Sequence, residues 1–245
     1  MEHKYPIEVC FTPALYHLYD NPENTVVIVD VLRATSSICA AFAAGAKKIL
    51  PVATQEQASE VKKQGYILAA ERDGKVLDFA DFGNSPDLFT PERVKDKVIA
   101  YSTTNGTKAI EMAADAKQIL IGSFINLSAV TDFLINNSTP VLFLCSGWKY
   151  KFNLEDTLCV GAMAQKLLES GKYQTVCDST YAAIDLWDMS KSDLMKYIEK
   201  ASHRHRLKTM VDEQIIKYCH TIDLVNVLPT YKNGFLENLL AKKVL

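Results

Sequence analysis

The stretch Val26–Ser37, VVIVDVLRATSS, decides how the rest of the chain is read. Thr25 to Val29 is an apolar, β-branched run, the pattern of a parallel strand buried on both faces, and it breaks on Asp30. Leu32, Arg33, Ala34 and Thr35 follow; Ser36 to Gly45 is rich in Ala and ends on glycine, which predicts a helix. The polar cluster therefore sits where a strand hands over to a helix. In open α/β sheets ligands bind beyond the carboxyl ends of the strands, and a helix N-terminus there offers unpaired N–H groups to an anion. An acid, a base and several hydroxyls at such a place point to the floor of a site for a phosphorylated substrate. Asp30 suits a metal ligand or a base better than a phosphate contact, because two anions repel. The plainer reading is a capping Asp paired with a nearby Arg33.

Outward from this unit, strand and helix signals alternate. Ile7 to Phe11 predicts a strand, and Ala14 to Tyr19 a helical turn before the Asp20-Asn21-Pro22 breaker. Lys48 to Val52 and Tyr66 to Ala70 predict strands around a helix at Thr54 to Gln64, with Thr54 as N-cap and Gln57 three residues on. Strands are expected at Lys97 to Tyr101, Gln118 to Ile121 and Pro140 to Cys145, and helices at Gly106 to Ala114, Leu127 to Leu134 and Leu154 to Ser170. Such alternation predicts a mainly parallel, doubly wound α/β sheet whose carboxyl ends face one edge. Glu71 to Pro91 has no sustained period and is read as a long loop and candidate lid. From Asp178 the strand signal lapses; helices are expected at Thr180 to Trp187, Lys191 to Lys200 and Arg206 to Tyr218, then a strand at Asp223 to Leu228. We read residues 1–245 as a single domain, with a helical subdomain or cap over about 178–220.

The 245 residues, 48% hydrophobic, suffice for a full core. With 27 basic against 29 acidic side chains the net charge is −2, so no global field attracts nucleic acid or an acidic membrane, and any positive site is local. The cysteines at 10, 39, 145, 159, 177 and 219 show no C-x-x-C pairing and read as reduced core residues. The N-terminus lacks a basic segment followed by a long apolar one, and no stretch reaches the length of a bilayer span. A cytoplasmic protein is expected, with the oligomeric state left open, a homo-oligomer included.

The second chemical stretch is Tyr101–Thr107, YSTTNGT. Ser102, Thr103, Thr104, Asn105, Gly106 and Thr107 between a strand and a helix suggest a phosphate cradle, because glycine frees the backbone and successive N–H groups form an anion nest. The Walker spacing is absent, and the plainer reading is a turn with a helix cap. Ser123 and Asn126 mark a third polar strand end, and Glu71-Arg72 a fourth. Asp30, Glu71 and the adjacent Glu155-Asp156 are hard oxygen donors of the kind Mg²⁺ takes; first-turn acids are the plainer reading of the last pair. A cysteine nucleophile in a C-x5-R loop fails, since Cys145 is followed at that spacing by Lys151, and a D-x-D nucleophile fails at Val31-Leu32. Attack by metal-activated water is what elimination leaves. His203-Arg204-His205-Arg206 and Cys219-His220 lack zinc spacing, but His203 is a candidate general acid.

In order, VVIVDVLRATSS, Glu71-Arg72, GNSP at 83–86, STTNGT at 102–107, GSFIN at 122–126, CSG at 145–147, LED at 154–156 and SH at 202–203 resemble the 2-phosphosulfolactate phosphatases. The resemblance runs from about the first strand to Pro229. It implies a Mg²⁺-dependent hydrolase that converts 2-phospho-3-sulfolactate to sulfolactate and phosphate, on the route to coenzyme M. In that light Asp30, Glu71 and Glu155 or Asp156 hold Mg²⁺, and Thr35 with Ser102–Thr107 binds phosphoryl oxygens. Arg33 neutralises developing charge, and Arg33, Arg72, Lys149 and His203 are the candidates for the local basic cluster that an acid carrying phosphate, sulfonate and carboxylate requires. The chain departs from the pattern at Arg204, where the family has glycine, and at Val211 and Ile215. The rival readings are a phosphatase for another small phosphorylated organic acid and a non-catalytic phosphometabolite sensor.

Overall fold

Alternating strands and helices run through most of the chain. The computed structural model describes residues 3–19, 21–207 and 211–241. In the first half lie β1 (Tyr5–Cys10), β2 (Thr25–Val29), α1 (Ala34–Ala43), β3 (Lys48–Pro51), α2 (Gln55–Lys63), β4 (Ile67–Arg72), β5 (Lys75–Val76), α3 (Pro91–Val94), β6 (Val98–Ser102) and α4 (Gly106–Met112). β7 (Gln118–Gly122), α5 (Leu127–Asn137), β8 (Val141–Cys145), α6 (Leu154–Glu169) and β9 (Tyr173–Gln174) follow. The C-terminal part is helix-rich, with α7 (Asp178–Ser190), α8 (Leu194–Tyr197), α9 (Ser202–Leu207) and α10 (Glu213–Cys219), and closes on the hairpin β10 (Pro229–Lys232) and β11 (Phe235–Asn238). Thr54 caps α2 in a reciprocal box with Gln57, as its sequence predicts.

The strands form one mostly parallel sheet in the order β5-β4-β6-β3-β11-β10-β7-β2-β8-β1-β9, with helices on both faces. β4, β6 and β3 are mutually parallel, and so are β7, β2, β8, β1 and β9. Between these blocks the β10–β11 hairpin pairs antiparallel with β7 on one side and β3 on the other. Three antiparallel steps reverse the second block relative to the first. The carboxyl ends therefore do not lie along one edge of a continuous parallel ladder, as the alternation alone predicts. They meet because the sheet folds about the hairpin: Val26 and Ile28 of β2 share a core with Ile99 and Tyr101 of β6, around Ile38 of α1 and Ile110 of α4. On the outer faces, Val27 and Val29 pack against α6 and α7, and Leu68 and Ala100 against Ala58 of α2.

Two expectations need correction. Asp223 to Leu228 is not a strand, because its polar groups bond to the start of α5 instead of a ladder: Ser128 N–H and Oγ donate to Asp223, and Asn126 Nδ2 donates to Val227 O. The strand begins at Pro229, and its partner follows through Asn233-Gly234, both at positive φ, a hairpin signal that went unread. The helix expected at Arg206 to Tyr218 is divided, α9 ending at Leu207 and α10 starting at Glu213; residues 208–210 of it lie outside the described residues. The 71–91 stretch is anchored: β5 pairs with the end of β4, Phe82 and Phe89 are buried 5.2 Å apart, and Asn84 is buried beside α1. Its Asn84 carbonyl accepts from Ser37 Oγ at 2.6 Å. All six cysteines are unpaired, and no helix among the described residues is long and apolar enough to cross a membrane.

Candidate active site

A cavity of about 270 Å³ opens where the ends of β2, β4 and β6 approach α9, and Asp30, Arg33, Glu71, Thr103 and His203 all line it. Asp30 is buried at the mouth of α1, where Ala34 N–H donates to its Oδ1 at 3.1 Å. Burial pushes its carboxyl up to about 6; the Ala34 bond and His203 oppose the shift, and the neighbouring charges of Glu71 and Glu155 add to it. Thr35 does not reach the cavity. Its hydroxyl donates to Asp30 O at 2.8 Å and accepts from Asp30 N–H at 3.0 Å, so it fixes the turn that aims Asp30 and has nothing left for phosphate. Arg33 Nη2 donates to Asn84 Oδ1 at 2.8 Å, holding one cation against the wall.

Glu71, the last residue but one of β4, is gripped by backbone. Thr104 N–H donates to Oε1 at 2.7 Å and Gly74 N–H to Oε2 at 2.7 Å, with the Thr104 hydroxyl reaching both oxygens. The 102–107 stretch is thus organised around a carboxylate, and most of its hydroxyls face inward. Ser102 Oγ donates to Val52 O at 2.7 Å and accepts from Arg72. Thr107 donates through Oγ1 to Thr103 O and through N–H to Thr103 Oγ1, while Thr103 N–H donates back to Thr107 Oγ1. Thr103, Thr104 and Asn105 line the cavity; Ser102 and Thr107 do not. Gly106 is required by contact: a Cβ there would lie 2.5 Å from Ala34 Cβ and 3.1 Å from Asp30 Oδ2.

From the opposite side α6 and α9 supply a buried pair. His203 Nδ1 lies 2.6 Å from Glu155 Oε1, with Asn153 Nδ2 3.4 Å from the same nitrogen, which leaves Nε2 for the cavity. Burial would raise the Glu155 carboxyl, but the bond and charge of His203 outweigh it and hold the acid below its ordinary value. Glu155 Oε2 is buried with no hydrogen-bond partner among the described residues. Asp156 faces elsewhere, accepting Val31 N–H at 2.9 Å and Gly147 N–H at 3.1 Å. Burial, followed by the charges of Asp30 and Glu155, pushes it well above the usual carboxylate range.

The four acids are therefore not one ligand set. Among the described residues no three His, Cys, Asp or Glu side chains gather as a coordinating group, and both oxygens of Asp156 are taken by N–H donors. Asp30 still fits Mg²⁺, which takes one or two carboxylates and completes its shell with water and phosphate. Its carboxyl lines the cavity beside Glu71, and Oδ1 accepts a single N–H, from Ala34, so oxygen lone pairs remain for a divalent cation. Other expected contacts do not reach this cavity. Ser123 Oγ bonds Ser36 Oγ at 2.7 Å, and Asn126 donates to Ile121 O and Val227 O and accepts Ser123 N–H, so both are sealed in the frame. Arg72 donates to Glu71 O, Ala53 O and Ser102 Oγ, and Lys149 pairs with Asp73 at 2.8 Å, so neither lines this cavity.

Residues 10–234 match the family model described as 2-phosphosulpholactate phosphatase. The chain belongs to the 2-phosphosulfolactate phosphatase family. It is 34% identical over 224 residues to the protein named probable 2-phosphosulfolactate phosphatase of Caldanaerobacter subterraneus subsp. tengcongensis, spanning 89% of this chain and 92% of that one. Identity to the protein of the same name in Thermotoga maritima is 36% over 211 residues, 86% of this chain and 90% of the other. For its namesake in Synechococcus sp. (strain JA-2-3B'a(2-13)) it is 38% over 226 residues, 89% and 93%. Membership groups the chain with phosphoric monoester hydrolases.

Three wall residues of this 2-phosphosulfolactate phosphatase family member escaped sequence reasoning. Asn84 lies inside the GNSP stretch, Trp148 directly follows CSG, and Arg206 sits in the HRHR run, which offers only His203 as a candidate by sequence. Arg206 stacks its guanidinium 4.2 Å from the Trp148 ring centroid, so a second cation lines the cavity besides Arg33. Arg204, where glycine was expected, turns to Glu213 at 2.7 Å, and Val211 and Ile215 pack against the outer core.

Proposed function

We propose that this chain is a Mg²⁺-dependent phosphomonoester hydrolase that converts 2-phospho-3-sulfolactate to 3-sulfolactate and phosphate, the chemistry of a route to coenzyme M. The observation that carries the reading is the meeting, in one cavity of a chain of this family, of Asp30 with the His203–Glu155 pair. Asp30 is the residue that would hold Mg²⁺, with Glu71 shaping the loop beside it. When bound, Mg²⁺ supplies neutralising charge for the phosphoryl oxygens and activates the attacking water.

The chain's own groups account for the remaining requirements. Arg33, held by Asn84, and Arg206, held on Trp148, supply fixed positive charge for an acid that carries phosphate, sulfonate and carboxylate. As water adds to phosphorus and the ester P–O bond breaks, the leaving alkoxide needs a proton. His203 delivers it from Nε2, its ring oriented by the Glu155 bond at Nδ1. Thr104 and Gly74 keep Glu71 from swinging into the space the substrate requires.

The test is phosphate release from 2-phospho-3-sulfolactate and from a panel of other phosphorylated hydroxy acids, in Mg²⁺ and in chelator. Turnover selective for the sulfonated ester, abolished by chelator and restored by Mg²⁺, is expected. Preference for a non-sulfonated acid would move the substrate; binding without any turnover would leave a sensor.

A further inference from the structure

Beside the reaction cavity lies a second one of about 390 Å³, and its chemistry differs. Arg72, Lys108 and Lys149 line it against a single acid, Asp73, so two formal positive charges are left over. Lys149 pairs with Asp73 at 2.8 Å, and Lys108, on the exposed side of α4, has no ion-pair partner among the described residues. At the inner end Ser146, 1% exposed, presents a hydroxyl with no hydrogen-bond partner among the described residues. A buried hydroxyl without a partner is costly in a finished core and calls for a ligand or water.

The two cavities share a wall, and the wall is bonded shut. Asp73 N–H donates to Thr104 Oγ1 at 2.9 Å, Thr104 N–H to Glu71 at 2.7 Å, and Lys149 N–H to Asn105 Oδ1 at 3.0 Å. A molecule in the second cavity meets cations and a hydroxyl donor, without touching Asp30 or His203. We propose that this second cavity is a separate binding site for a dianionic oxyanion, a phosphate group above all, held by Arg72, Lys108, Lys149 and the Ser146 hydroxyl. The site stands independently of the reaction assigned to its neighbour, since nothing in it depends on Mg²⁺ or on turnover.

The test is calorimetric titration of the intact chain with inorganic phosphate in the presence of chelator, for the wild type, Lys108→Glu, Ser146→Ala and Asp30→Asn. Binding that survives chelator and Asp30→Asn, and weakens about tenfold or more in Lys108→Glu, is expected, since a charge-assisted bond is replaced by repulsion. Ser146→Ala should weaken it less while keeping the thermal midpoint, and both variants should keep wild-type turnover at low phosphate. Affinity indifferent to Lys108→Glu, or abolished by Asp30→Asn, would overturn the site, the second result placing the anion in the reaction cavity. A parallel titration with methylphosphonate separates the sources: equal binding marks the head of an organic phosphate as the ligand, and binding of inorganic phosphate alone marks the free ion.

Discussion

The turn after β2 and the turn after β6 are alike in sequence, each a hydroxyl-rich passage from strand to helix, but they serve the cavity differently. The first sends Asp30 and Arg33 into it while Thr35, Ser36 and Ser37 bond backbone carbonyls behind. The second closes its hydroxyls on one another and on Glu71. The difference follows from donor arithmetic. A hydroxyl both donates and accepts, so at a strand end it satisfies stray backbone groups and is consumed. An ionised carboxylate only accepts, so one given a single N–H keeps capacity for a cation or a proton.

The sharpest way to break this contrast is Asp30→Asn. The amide oxygen can still accept the Ala34 N–H, so the thermal midpoint should hold within a few degrees while turnover falls by about 10³-fold, the scale of losing a preorganised electrostatic group. Near-normal turnover would show that the charge at this turn is as structural as the hydroxyls. Next in size is Glu155→Gln, which keeps an acceptor for His203 but removes the charge. Turnover should fall about 10- to 100-fold, the effect typical of a group that orients another, with KM nearly unchanged. A loss of Mg²⁺ affinity instead would return Glu155 to the metal set.

How much of this was legible follows from which facts are local. The strand-to-helix alternation is local, so the α/β class, the capped α2 and the strand-end positions of Asp30 and Glu71 could be read directly. Pairing is not local. Nothing near β3 or β7 says that a hairpin from residues 229–238 will lie between them and reverse half the sheet, although Asn233-Gly234 announces the hairpin itself. The partner of a hydroxyl is likewise set by tertiary structure, so Ser123, Asn126 and Thr35 passed for ligand groups. Arg206 was hidden for the opposite reason: four alternating basic residues resemble a solvated face until Trp148, 58 positions earlier, supplies the ring it rests on.

Gly106→Ala tests where the two turns touch. Its new methyl would meet Ala34 Cβ and crowd Asp30 Oδ2, so overpacking should cost about 1–3 kcal/mol, read as a lower urea midpoint at unchanged slope. Because the atom displaced lies at the start of α1, turnover should fall as well. Lost stability with full turnover would mean that Asp30 tolerates movement of the helix behind it.

The smallest effect belongs to Ser123→Ala, and it separates frame from site most cleanly. Ser123 is fully buried, and its hydroxyl meets Ser36 Oγ, which itself donates to Val31 O one residue beyond Asp30. Removing it deletes a net bond worth about 1 kcal/mol, which in a chain of this length lowers the thermal midpoint by roughly 2–4 °C. Ser36 retains its carbonyl acceptor, so the backbone leading into Asp30 stays in place and kcat/KM should remain within about twofold. A large fall in turnover at unchanged stability would have to come from direct contact with substrate, and Ser123 would then belong with the charges rather than with the hydroxyls that hold them.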